Sequence, residues 1–179
     1  MKISIILFLS FWILTSCRTT FYEVEKHPNN TLITKRGKIE SVIFSKDAVC
    51  LFCNLGVSRF TPTLEEINQA EIILQKNIKT ANYPIYNQGD GCPFIHRNLK
   101  NYRRQYYGFK DSAGNQILFV NFLWARYTIF DRLKGYFKDE SLEWKEEYVQ
   151  VLDGCSHYWQ ININLSQQKL ENLSINGPA

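Results

Sequence analysis

Cysteine is the residue type with the most chemistry on offer in this chain, and spacing decides which chemistry. There are five, Cys17, Cys50, Cys53, Cys92 and Cys155. Cys50-Leu51-Phe52-Cys53 is a CxxC pair, an arrangement used both for thiol–disulfide exchange and for zinc. Exchange needs the first thiol at a helix N-terminus, where its pKa is lowered. Here the pair sits in an apolar, β-prone run, and the next helix signal begins only at Thr61. A zinc site would want a second CxxC or a Cys/His pair at ligand spacing. Cys92 and Cys155 are isolated, and His96 and His157 do not supply that spacing, so neither metal nor cofactor is expected.

The pairing of these thiols is open from spacing alone, since four cysteines allow three connectivities. Residues three apart on a strand are separated by about 10 Å, whereas bridged Cα atoms lie within about 7 Å. Cys50 and Cys53 are therefore not expected to bond to each other, and a bridge is expected from one of them to Cys92 or Cys155. Buried free thiols are the ordinary alternative. Cys155-Ser156-His157 has nucleophile and base side by side, but a triad also needs an orienting acid placed by geometry. A turn leading into a half-buried histidine is the plainer reading.

Two further stretches carry chemistry-bearing side chains. Arg97 to Tyr107 mixes basic and aromatic residues, which on a strand makes a solvated face able to meet an anionic partner or a lipid headgroup. With a formal net charge of only +4, nucleic acid is not an expected partner, because its binders carry a strongly basic face. In residues 157–165, Trp159, Ile161, Ile163 and Leu165 alternate with Gln160, Asn162 and Asn164. Period-2 alternation buries one face and leaves the other polar. The amide row is the best candidate for part of a ligand face, since amides both donate and accept hydrogen bonds.

Cys17 stands apart from the other four. Met1-Lys2 is a short positive start, residues 3–14 are almost unbroken apolar sequence, and Leu14-Thr15-Ser16-Cys17 closes the run. Those parts in that order make a secretory signal, and the run is shorter than the roughly twenty residues a membrane span needs. Its end resembles the lipobox of bacterial lipoproteins. The resemblance implies cleavage after residue 16, lipidation of Cys17 with palmitate among its acyl chains, and a membrane anchor. Arg18, in place of the aspartate that retains such proteins at the inner membrane, implies the outer membrane, facing the periplasm.

The elements that must position these residues follow from periodicity. Residues 1–16 are read as the signal peptide, 17–37 as a polar tether and 38–179 as one domain, a normal size for a single core. A hairpin is expected from Ile39–Phe44 and 48–55. Residues 61–82 read as an amphipathic helix, with Leu64, Ile67, Ala70, Leu74, Ile78 and Ala81 on one stripe. Thr61-Pro62 offers one N-cap, and Thr63 with Glu66 offers a capping box one step later. Residues 83–97 are an irregular connection. Strands follow at 99–110, 115–124, 148–152, 157–165 and 169–175, with 125–146 as an acidic surface excursion.

Short connections favour antiparallel pairing. The fold class is therefore α+β, one long amphipathic helix packed on a mainly antiparallel meandering sheet, similar in element order to the cystatin-like and NTF2-like architectures of small envelope lipoproteins. The functional expectation is a non-enzymatic envelope lipoprotein whose domain binds a protein or small ligand. The alternatives are an enzyme using Cys50 and Cys53 or a cleft, and an inhibitor or immunity-type lipoprotein.

Overall fold

The computed structural model describes residues 20–27, 31–50, 58–126, 133 and 143–177. The expected signal peptide, Cys17, Cys53 and most of the expected excursion at 125–146 lie outside the described residues. The strands are β1 (Tyr22–His27), β2 (Thr31–Arg36), β3 (Ile39–Phe44), β4 (Ser58–Phe60), β5 (Tyr102–Lys110), β6 (Gln116–Trp124), β7 (Tyr158–Asn164) and β8 (Lys169–Ile175). They form one sheet in the order β1-β2-β3-β5-β6-β7-β8, with β4 also on β5. Every pairing is antiparallel except β3 with β5, which is parallel. The α+β expectation, with a mostly antiparallel sheet, holds.

The helix α1 (Leu64–Ala81) starts at Thr63, whose side chain accepts from Glu66 N–H while the Glu66 carboxylate accepts from Thr63 N–H. The capping box is therefore the true start. Thr61 serves another purpose, its hydroxyl accepting from the backbone N–H of Lys46 at 2.9 Å. Ile67, Ala70, Leu74 and Ile78 are buried against the sheet, and α1 lies over β7 and β8. From the sheet, Trp159, Ile161, Ile163 and Leu165 fill this core beside Tyr102, Tyr106, Val120 and Phe122. Such burial is worth about 1.5–3 kcal/mol per large apolar side chain.

A second apolar core occupies the opposite face of the sheet, around Val42, Phe44, Tyr107, Phe109, Phe119 and Trp144. Trp144 comes from the short helix Glu143–Glu146, which with the 147–149 backbone covers that face. Its anchor is Gln105, whose amide donates to the carbonyls of Trp144 and Glu147 at 2.8 and 2.6 Å. Gln105 also accepts from Val149 N–H at 3.1 Å and from Asn121 at 2.8 Å.

Four expectations are corrected by this arrangement. Residues 17–37 are not a tether throughout, because β1 and β2 pair into the sheet from Tyr22 onward. The described side chains of β1 are all exposed, so this edge strand shows no alternation to read. β3 forms its hairpin upstream with β2, around Gly37 at φ +60°, where glycine is free of strain. Residues 48–50 are not strand. Residues 148–152 are not strand either, since the backbone of Val149 bonds the Gln105 and Asn121 side chains instead. Arg104, expected on a solvated face, is fully buried.

Candidate functional site

The last turn of α1 leads into a loop that is turned and then tied down. Asn82 caps the helix, its backbone N–H donating to Ile78 O at 2.9 Å. The next peptide bond, Tyr83-Pro84, is cis. The buried Asn82 amide pairs with the Gln88 amide through two hydrogen bonds of 3.0 and 2.8 Å, closing the loop on itself. Gln88 also accepts from Ile95 N–H at the start of the short helix Ile95–Asn98.

The back of the loop is fastened to the far edge of the sheet. Asn87 donates to Asn176 O at 2.8 Å, just past the end of β8, and its own carbonyl accepts from Ser156 N–H. Gly89 and Cys92 exchange two backbone hydrogen bonds of 2.9 Å. Cys92 is disulfide-bonded to Cys155 with Cα atoms 6.1 Å apart, and Cys155 N–H donates to Gly177 O. A groove of about 390 Å³ remains between the end of α1, Tyr83 to Asn87, and Leu173 to Ile175 of β8. That lies within the roughly 300–1,000 Å³ of small-molecule sites.

Tyr83 and Tyr86 line the groove yet are 81% and 65% exposed. Both tyrosines sit on a loop fastened by its neighbours Asn82, Asn87 and Gln88, so little backbone freedom is lost when a ligand covers their rings. Among the described residues, no lining residue carries a charge. The groove therefore offers aromatic faces, amides and the Ser174 hydroxyl, a surface suited to a neutral ligand with one apolar face. Behind it, His96 stands 3.5 Å from Asn82. Burial lowers its pKa, and the charges of Arg97 and Lys79 lower it further.

The residues singled out in the sequence are not brought together here. Cys17 and Cys53 lie outside the described residues. Cys50 is half-buried against the second core and is disulfide-bonded. Its partner is neither Cys92 nor Cys155, which bond each other, so the bridge expected between the CxxC pair and those two is corrected. The two form their own bridge because the 89–92 turn and the 154–156 turn meet at the start of β7. In Cys155-Ser156-His157 the thiol is consumed by the disulfide, and the Ser156 hydroxyl donates to Pro93 O at 2.5 Å.

The amide row is also corrected as a ligand face. Gln160 is half-buried, and Asn162 and Asn164 are 3% and 1% exposed, because their side of the sheet carries the second core. Asn164 accepts from Gln167 N–H and donates to Glu171, stabilising the β7–β8 turn. Sequence reasoning passed over Tyr83 and Tyr86 inside an irregular connection. The readable signal was three large apolar residues, Tyr83, Ile85 and Tyr86, around a proline where no period buries them.

A buried ionic cluster was passed over as well. Glu71 lies on the apolar stripe of α1, four residues after Ile67 and three before Leu74. It pairs with Arg104 and Arg36 and accepts from the Tyr106 hydroxyl at 2.7 Å. The remaining Arg104 N–H groups donate to the carbonyls of Tyr102 and Leu99. The cluster is closed and satisfied, so it clamps α1 to the sheet. Among the described residues no helix is long and apolar enough to cross a membrane. No known protein family, curated protein or solved structure matches the chain.

Proposed function

We propose that this is a lipid-anchored bacterial envelope protein, acylated at Cys17, whose α+β domain binds a small neutral ligand without chemical turnover. The observation that carries the binding half is the pair Tyr83 and Tyr86, exposed beside a groove whose loop is fastened by the Asn82–Gln88 amide pair and the Cys92–Cys155 bridge. Large apolar side chains are normally buried, and aromatic rings on a fixed loop are economical contact surface. The address half rests on Leu14-Thr15-Ser16-Cys17 after the apolar run.

An inhibitor or immunity-type role is the second reading. It is favoured by Ile85, which is 45% exposed at the tip of the same loop and outside the groove lining. One set of variants separates the two. Purified chain is titrated with neutral envelope saccharides and short uncharged peptides while tyrosine ring signals are followed by NMR. The ligand reading expects Tyr83 and Tyr86 to shift, and Tyr83→Ser with Tyr86→Ser to abolish binding while Ile85→Ser leaves it intact. Absence of any shift across the panel counts against it. Acyl labelling in cells, lost in Cys17→Ser, tests the anchor.

A further inference from the structure

We propose that the flank of α1 on which Phe21 docks lies against the lipid leaflet, with Lys79 and Arg97 meeting anionic headgroups and the groove left clear of them. This rests on acylation of Cys17. The first observation is where the chain becomes fixed. Phe21 is buried, its N–H donates to Asn68 Oδ1 at 2.9 Å, and the Arg36 guanidinium covers its ring at 4.7 Å. Phe21 follows Cys17 by four residues, and four extended residues reach at most about 14 Å. An acylated Cys17 keeps its chains in the leaflet, so the surface around Asn68 stays within that distance of the headgroups.

The second observation is what this surface carries. Asn68, Ile72, Gln75 and Lys79 recur at spacings of four, three and four, which places them along one side of a helix. Ile72 is 50% exposed, and Gln75 and Lys79 are exposed. Lys79 is in the last turn of α1, and Arg97 follows His96, whose ring lies 3.5 Å from the Asn82 cap, so the two cations stand at the same end of the helix. Arg97 is exposed and rests its guanidinium 4.8 Å above the Phe94 ring. Apart from the buried Glu71, the acidic residues of α1 are Glu65 and Glu66, both in the first turn and well before Lys79. Lysine and arginine close to an anionic leaflet are attracted to its headgroups, and Tyr22, exposed next to Phe21, is of a type favoured at headgroup level.

The groove is positioned differently. It begins at Ala81, thirteen residues beyond Asn68, or about 20 Å along the helix, and it opens on the β8 side rather than the Phe21 side. A ligand can therefore reach it while the domain stands on the membrane.

The test uses acylated full-length protein in vesicles of phosphatidylcholine and phosphatidylglycerol. Lysine reactivity towards a water-soluble ester is read by mass spectrometry and compared with the unanchored Cys17→Ser chain. Lys79 is expected to lose reactivity several-fold on vesicles, while Lys110, exposed at the other end of the sheet, is unchanged. A flexible Gly/Ser insert after Arg18 is expected to restore Lys79. If Cys17 is acylated yet Lys79 and Lys110 respond alike, the orientation is overturned and the lipoprotein reading stands. If Cys17 carries no acyl group, both fall. Protection of Lys79 that survives the insert overturns the role of the short reach.

Discussion

Glu71 Oε1 lies 2.7 Å from Arg104 Nε, and neither side chain reaches solvent. One residue belongs to α1 and the other to β5, so this pair joins the two layers of the fold at their centre. Removing one partner leaves a buried charge without its counter-ion, which costs about 3–5 kcal/mol. Glu71→Leu is accordingly expected to lower the urea midpoint sharply. Glu71→Leu combined with Arg104→Met removes both charges and should cost less than Glu71→Leu alone. A double variant worse than the single would show that Arg104 matters mainly through the Tyr102 and Leu99 carbonyls.

The same pair sets a pH dependence. Burial alone would raise the Glu71 pKa, but the Arg104 and Arg36 charges, with hydrogen bonds from Arg104 and Tyr106, bring it below the ordinary carboxylate value. A folded-state pKa below the unfolded one stabilises the fold above the unfolded value, about 4.3, and that contribution is lost as pH falls through the folded value. The melting temperature should therefore hold down to about pH 5 and drop below it. Glu71→Leu with Arg104→Met should flatten the drop, and an unchanged acid limb would assign it to other carboxylates.

How much of this was legible depended on how local each cause is. Thr63 with Glu66 marks the start of α1 because both halves of a capping box lie within one turn. Trp159, Ile161 and Ile163 reveal their burial because one continuous core takes their face. Asn162 and Asn164 mislead because what covers them depends on residues far off in sequence, the Trp144 segment among them. Glu71 and Arg104 mislead for a related reason. Each is an ordinary surface residue by type, and only the pairing of α1 with β5 neutralises it. β1 was invisible because an exposed edge strand has no buried face to impose a period. Tyr83 and Tyr86 were visible as residues but not as a site, since the groove exists only once β8 and the 154–156 turn fasten their loop.

The Cys92–Cys155 bridge closes a sequence separation of 63 residues. In the chain-entropy account, a closed loop of that size is worth about 4 kcal/mol. Cys92→Ser with Cys155→Ser should lower the unfolding free energy by about 2–5 kcal/mol, read by urea titration. Because the bridge also ties the groove loop to the turn before β7, amide exchange at Asn87 to Gly91 should rise more than exchange in β6. Equal changes in both would mean that the bridge stabilises the whole fold without shaping the groove.

The buried amide of Gln105 makes the sharpest structural prediction, because one side chain satisfies a whole segment. It donates to the Trp144 and Glu147 carbonyls and accepts from Val149 N–H and the Asn121 amide. Gln105→Leu keeps the side chain's approximate size but strands these groups beneath an apolar layer. Each orphaned buried polar group costs about 1–3 kcal/mol, so the loss should exceed that of an ordinary core substitution. The damage should also be directional. Amide exchange at Val149 and the environment of Trp144 should change first, while the α1 side of the sheet, around Trp159, keeps its protection. Trp159→Ala should do the reverse, costing about 3–5 kcal/mol and loosening α1. If Gln105→Leu instead melts both faces together, the 143–149 cover is part of one cooperative core, and the two faces of the sheet cannot be loosened separately.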